Sequence, residues 1–157
     1  MATRRPIKYQ RIPLVMAGAG QSISTVGVTT DKLYHRVTGI HATCSDVAGF
    51  TNSNFQKFEI DKQEIYPQGF EAKLIATGQE VNPNDKFDQD INERANESAI
   101  DITYKDGSAV GVVYPYTVNV YLRLENTADD SDLLPRNKFV RAFSRILDQL
   151  KNSDTAK

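Results

Sequence analysis

Cysteine is nearly missing from this chain: Cys44 stands alone among 157 residues. That excludes an internal disulfide, and with no second soft ligand beside it Cys44 makes a poor metal site. It reads as a small buried apolar side chain. Tryptophan is absent and histidine occurs twice, at His35 and His41. On one regular strand both histidines would share a face but stand ~20 Å apart at ~3.3 Å per residue, too far to hold one metal ion. No run approaches the ~20 apolar residues that span a bilayer. Neither sign of charge dominates: 19 Lys and Arg face 20 Asp and Glu. A chain whose main task is gripping nucleic acid is usually more basic. There is no Walker loop, no G-x-G-x-x-G and no G-x-S-x-G, so the common phosphate-binding and nucleophile motifs are missing.

What is there is two-fold alternation. In "KFEIDKQEIYPQGFEAKLI" (Lys57 to Ile75) apolar residues alternate with polar ones, interrupted at Asp61-Lys62 and at Pro67-Gln68-Gly69. Alternation broken by turn chemistry marks half-buried antiparallel strands. Ile23, Val26 to Val28 and "LYHRVTGIHAT" (Leu33 to Thr43) are rich in β-branched residues, and "SDVAGFTNSN" follows as a loop. "AIDITY" (Ala99 to Tyr104), the Asp106-Gly107 pair and "AVGVVY" predict a hairpin with a tight turn. "YTVNVYLRLEN" puts Tyr116, Val118, Val120, Leu122 and Leu124 on one face, with polar residues on the other. Strands at this spacing with no helices between them predict a sandwich of about eight strands. A 157-residue chain has room for one such domain with its own core.

Both ends differ from the middle. The first thirty residues hold Arg4, Arg5, Lys8 and Arg11 and no acid before Asp31. Residues 1–20 read as an extended arm, either an unstructured tail or a segment that orders against a neighbouring subunit or an anionic surface. The apolar piece inside it is short and broken by Pro13 and Gly18, a poor secretory signal. The expected site of synthesis is the cytoplasm. Near the other end, "RNKFVRAFSRILDQLK" sets Phe139, Val140, Phe143, Ile146, Leu147 and Leu150 at helical spacing, predicting an amphipathic helix over 133–151 and a tail over 152–157. Its apolar stripe must face the protein's own sheet, a neighbouring subunit or a membrane surface.

Candidate chemistry is sparse. Asp88, Asp90 and Asn92 match the start of a calcium loop within Asp85 to Glu93. However, Glu93 stands where glycine is needed and Ala99 where a bidentate acid belongs. A solvated acidic loop is the plainer reading. Tyr66, Tyr114, Tyr116 and Tyr121 could form an aromatic platform for sugars, so a carbohydrate-binding or adhesive β-sandwich is the alternative function. No catalytic residue, cofactor or small-molecule substrate is expected.

A basic arm followed by about eight strands, with the phrases "LYHRVTGI", "FEIDKQEIYPQGFEAKLIA" and "VNPNDKF" over Leu33 to Leu124, resembles the single jelly-roll capsid and penton (vertex) proteins of tailless, membrane-containing icosahedral bacteriophages. The resemblance implies an all-β jelly roll over 21–126 between the arm and the C-terminal helix. It also implies a non-enzymatic virion protein that associates with copies of itself, as a pentamer at a vertex, and with other capsid proteins. The basic arm residues Arg4, Arg5, Lys8 and Arg11 would then lock onto neighbours or meet viral lipid or genome. Phe139, Phe143, Ile146, Leu147 and Leu150 would form the face that meets a partner.

Overall fold

A computed structural model describes residues 7–77, 85–88 and 91–126. Among them nine strands form two antiparallel sheets: β1 (Ile7–Met16), β2 (Ser22–Ser24), β3 (Arg36–Cys44), β4 (Asn54–Ile60), β5 (Gln63–Tyr66), β6 (Phe70–Glu71), β7 (Glu93–Arg94), β8 (Ile100–Lys105) and β9 (Tyr116–Glu125). One sheet runs β1-β9-β3-β7; the other runs β2-β8-β4-β5, with β6 also on β4. The pairings nest: β1 with β9, β2 with β8, β3 with β7 and β4 with β5. The chain is thus a long hairpin, folded over so that β9 also meets β3 and β8 also meets β4.

Alternation explains the layers. Tyr116, Val118, Val120, Leu122 and Leu124 are fully buried on one face of β9, and Ile12, Leu14 and Met16 continue that face on β1. Facing them are Phe55, Phe58 and Ile60 of β4 and Ile100, Ile102 and Tyr104 of β8. Phe55 meets Phe58 and Tyr104 edge-on at 5.3 and 5.5 Å between ring centroids, the arrangement that ring quadrupoles favour.

The hairpin within Lys57 to Ile75 forms as its pattern predicts. Asp61 and Lys62 both take positive φ, 52° and 65°, the twist a two-residue turn needs to join β4 and β5. Gly69, at φ 83°, makes the next turn. Leu74 then leaves the strand pattern, because Ala72–Ile75 is a 3₁₀ turn whose buried residues are Ala72 and Ile75.

Three expectations change. Residues 7–16 of the expected arm are β1, hydrogen-bonded to β9 over its whole length. Pro13 is tolerated because β1 is an edge strand, paired in its sheet with β9 alone, the place where a strand accommodates proline's missing N–H. The hairpin expected at Asp106-Gly107 does not form: β8 ends at Lys105 and the chain crosses over residues 106–115 to β9 in the other sheet. Finally, a bulge at Thr38 sets both Val37 and Ile40 on the inner face. Alternation therefore does not carry from His35 to His41: His35 precedes the strand, and His41 pairs with Tyr121 on the outer face. The expected helix over 133–151, the tail and residues 1–6 lie outside the described residues.

Candidate functional site

Three connections meet at one end of the sandwich: 17–21 between β1 and β2, 45–53 between β3 and β4, and 106–115 between β8 and β9. Asp106 ties them together. It is 2% exposed, and its carboxylate accepts from Tyr116 Oη at 2.5 Å, Tyr114 Oη at 2.7 Å, Gly20 N–H at 2.8 Å and Ser108 N–H at 2.9 Å. The Asp106 N–H donates to the Gln21 carbonyl. Burial alone would raise this carboxyl; the four donors outweigh it and hold Asp106 below the usual carboxylate range. Burial and the Asp106 bond push Tyr116 far above the tyrosine range and Tyr114 up to about 12.

The middle connection is packed against the same cluster. The Gly49 carbonyl accepts from Ser53 Oγ at 2.6 Å and Tyr104 Oη at 2.9 Å. A Cβ on Gly49 would lie 2.8 Å from the Tyr116 ring and 2.9 Å from Cys44 Sγ. One on Gly107 would lie 2.4 Å from the Thr51 and Asn52 backbone. The Asp106-Gly107 pair therefore serves as a buried anion and a close approach, which is why it makes no hairpin turn. With four donors on it, Asp106 is an anchor for loops, poorly arranged to act as a base.

A second feature lies beside β3. Phe87 sits over Gly39, stacks on Tyr9 at 5.1 Å and tilts against His41 at 5.5 Å. Asp88 exchanges backbone hydrogen bonds with Ile40 and accepts from Tyr66 Oη at 2.7 Å, linking the two sheets at their edges. Next to this strap is a groove of about 870 Å³ whose lining includes His41, Cys44, Phe50, Lys73 and Lys86. His41 is 6% exposed and its Nδ1–H donates to the Ile75 carbonyl at 3.0 Å. Burial holds its imidazole below the usual histidine range. Burial also pushes the half-buried Cys44 thiol up, away from the thiolate.

The residues singled out from sequence scatter. Lys8 pairs with Asp31, and Arg11 Nε donates to Asn119 Oδ1 at 2.7 Å, so both cations are engaged by the chain's own fold. Arg4, Arg5, Phe139, Phe143, Ile146, Leu147 and Leu150 lie outside the described residues. Asp88 is engaged by Tyr66 and Ile40, and no cluster of three metal-ligating side chains occurs among the described residues. Of the four tyrosines considered for sugar binding, Tyr66 and Tyr116 are buried with their hydroxyls committed to Asp88 and Asp106. The Asp106 cluster escaped sequence reasoning because Asp-Gly is a turn signal. The only hint was three tyrosines, Tyr104, Tyr114 and Tyr116, crowded around that pair.

No protein-family model, curated protein or solved structure matches this chain.

Proposed function

We propose that the chain is a jelly-roll structural subunit that assembles with copies of itself or with other capsid proteins into an icosahedral shell. The nested strand pairing carries this reading. Setting aside the two-residue β6, eight strands pair first with last, second with seventh, third with sixth and fourth with fifth. That pairing supports a jelly roll of two interlocked Greek keys, an architecture recurrent in shell subunits. Such a body suits a shell: its inner faces are consumed by one core, and its ends and edges remain for neighbours. The single barrel agrees with a capsid or penton subunit of the tailless, membrane-containing phage type, non-enzymatic and carried in the virion. An anionic contact through the N-terminal segment would rest on Arg4 and Arg5, since Lys8 and Arg11 are engaged in the fold.

Electron microscopy of the purified full chain tests the proposal, alone and co-expressed with the other proteins encoded beside it. Closed rings or shells are the expected result. Dispersed single particles under every condition, together with specific binding on a glycan panel, would favour the carbohydrate-binding alternative.

A further inference from the structure

β3 loses its second neighbour partway along. On one side it pairs with β9 from Arg36 to Cys44. On the other, β7 meets only Arg36 and Val37, and Asp88 meets only Ile40. From His41 to Cys44 no described strand lies on that side. Two short 3₁₀ turns stand there instead, Val47–Phe50 and Ala72–Ile75. Such turns are too short to fill the place of a strand, and the space left between them is the groove of about 870 Å³. Its size falls within the range of small-molecule sites.

The walls are tied to one another. His41 Nδ1–H donates to the Ile75 carbonyl at 3.0 Å, fixing the second turn to β3. Ala72 N–H donates to the Ser53 carbonyl at 3.1 Å, and Ser53 Oγ to the Gly49 carbonyl at 2.6 Å, joining the second turn to the first. The groove therefore has its shape before anything enters it, and little ordering entropy opposes binding.

Its lining is apolar on one wall and cationic at the rim. Val47, 82% exposed, stands with Phe50 and Ala76. Lys73 and Lys86 also line the groove, and among the described residues no acidic side chain does. Lys86 is half-buried and forms no ion pair with a described acid. Lys73 pairs with Glu71 at 2.6 Å, but both are exposed, and a surface pair of this kind is weak enough to exchange partners. His41 adds no charge: burial, and then the Lys86 cation, hold its imidazole below the usual histidine range. A partly desolvated cation without a counterion, beside an exposed apolar wall, calls for an anion that carries an apolar body.

We propose that the groove beside β3 binds a small carboxylate with an apolar body, its carboxylate on Lys86 and its apolar part along Val47, Ala76 and Phe50. The proposal goes beyond the shell-subunit reading and does not rest on it. Other ligand classes fit less well. A sugar wants an exposed aromatic face, and the one aromatic carbocycle among the described lining residues, Phe50, is 9% exposed. A metal ion wants a cluster of ligating side chains, and the described residues contain none. An inorganic anion would leave Val47 uncovered and would find no arginine fork in the described lining.

The test is isothermal titration calorimetry of the full chain with decanoate below its micellar concentration, against decyltrimethylammonium and acetate. The variants are Lys86→Glu, Lys86→Gln, Val47→Asp and, on the β2–β3 connection, Lys32→Glu as a control. None of the replaced side chains is fully buried, so circular dichroism should match wild type. We expect saturable decanoate binding, weakened roughly tenfold or more by Lys86→Glu and Val47→Asp, less by Lys86→Gln and not by Lys32→Glu. Acetate, which lacks the apolar body, and the cationic amphiphile should bind at least tenfold more weakly. Cys44, the chain's one thiol, lines the groove and locates the ligand: bound decanoate should slow its alkylation by N-ethylmaleimide, read by intact mass. No decanoate binding overturns the proposal. So does equal binding by Lys86→Glu, or equal affinity for the cationic amphiphile. Flotation with phosphatidylserine vesicles that depends on Lys86, without decanoate binding, overturns it in favour of a membrane surface. None of these results bears on assembly, so the shell reading stands or falls separately.

Discussion

The Tyr116 hydroxyl donates to the buried Asp106 carboxylate at 2.5 Å, joining the first residue of β9 to the first residue after β8. The nine residues between them cross from one sheet to the other, so this bond closes the crossover at its base. Tyr116→Phe keeps the ring in the core and removes one donor from a charged acceptor. The expected loss is about 1.5–3 kcal/mol of unfolding free energy, measured by urea denaturation, with the strand signal in circular dichroism retained. A loss below ~0.5 kcal/mol would mean the hydroxyl does not anchor the crossover.

Asp106 gives this fold a defined acid limb. Its folded pKa is depressed by four donors, so it adds stability above the unfolded value near 3.8, and that stability drains away as pH falls through the folded value. Asp106→Asn should be less stable than wild type at neutral pH and should lose less further stability as pH falls below that value. Parallel acid limbs for the two proteins would show that another carboxylate controls them.

His41 acts in a different window. Burial depresses its pKa, so the unfolded chain takes up the proton first. Stability is therefore complete above the ordinary histidine value near 6.5 and declines as pH drops below it. His41→Gln, which can keep a donor toward the Ile75 carbonyl, should flatten the thermal midpoint between about pH 7 and 5. An unchanged slope would show that His41 does not control that limb.

Glycine tolerance should follow close approach. Gly107→Ala places a Cβ against fixed backbone at 2.4 Å, and Gly49→Ala places one against the Tyr116 ring at 2.8 Å; both should destabilise, Gly107→Ala the more because backbone yields less than a side chain. The expected cost is about 1–3 kcal/mol or more. Gly18→Ala meets nothing within 4 Å and should stay within ~0.5 kcal/mol of wild type. Equal melting temperatures for all three would contradict the packing described around Asp106.

How much of this was readable in the sequence depends on the range of the cause. The strands β4, β8 and β9 follow from alternation, because burying one face of a pleated strand is a two-residue rule that local sequence expresses. β1 was hidden by its chemistry: Pro13, Gly18 and the basic residues suggested an arm, although Ile12, Leu14 and Met16 alternate as an edge strand should. The Thr38 bulge was invisible because it answers to the register of β9, a strand distant in sequence. Asp106 was misassigned for the same reason. Its partners Gly20 and Tyr116 reach it only after the sheets have closed. Nested pairing, which carries the functional proposal, is likewise a property of the closed sandwich.

The central claim is that this sandwich exists to join copies of itself or related subunits. Sedimentation velocity of the purified full-length chain, run from dilute to concentrated and at low and high salt, tests it most directly. The account predicts a concentration-dependent shift to a discrete larger species. A single monomer boundary across the whole range, with no larger species when its genomic neighbours are added, would contradict it.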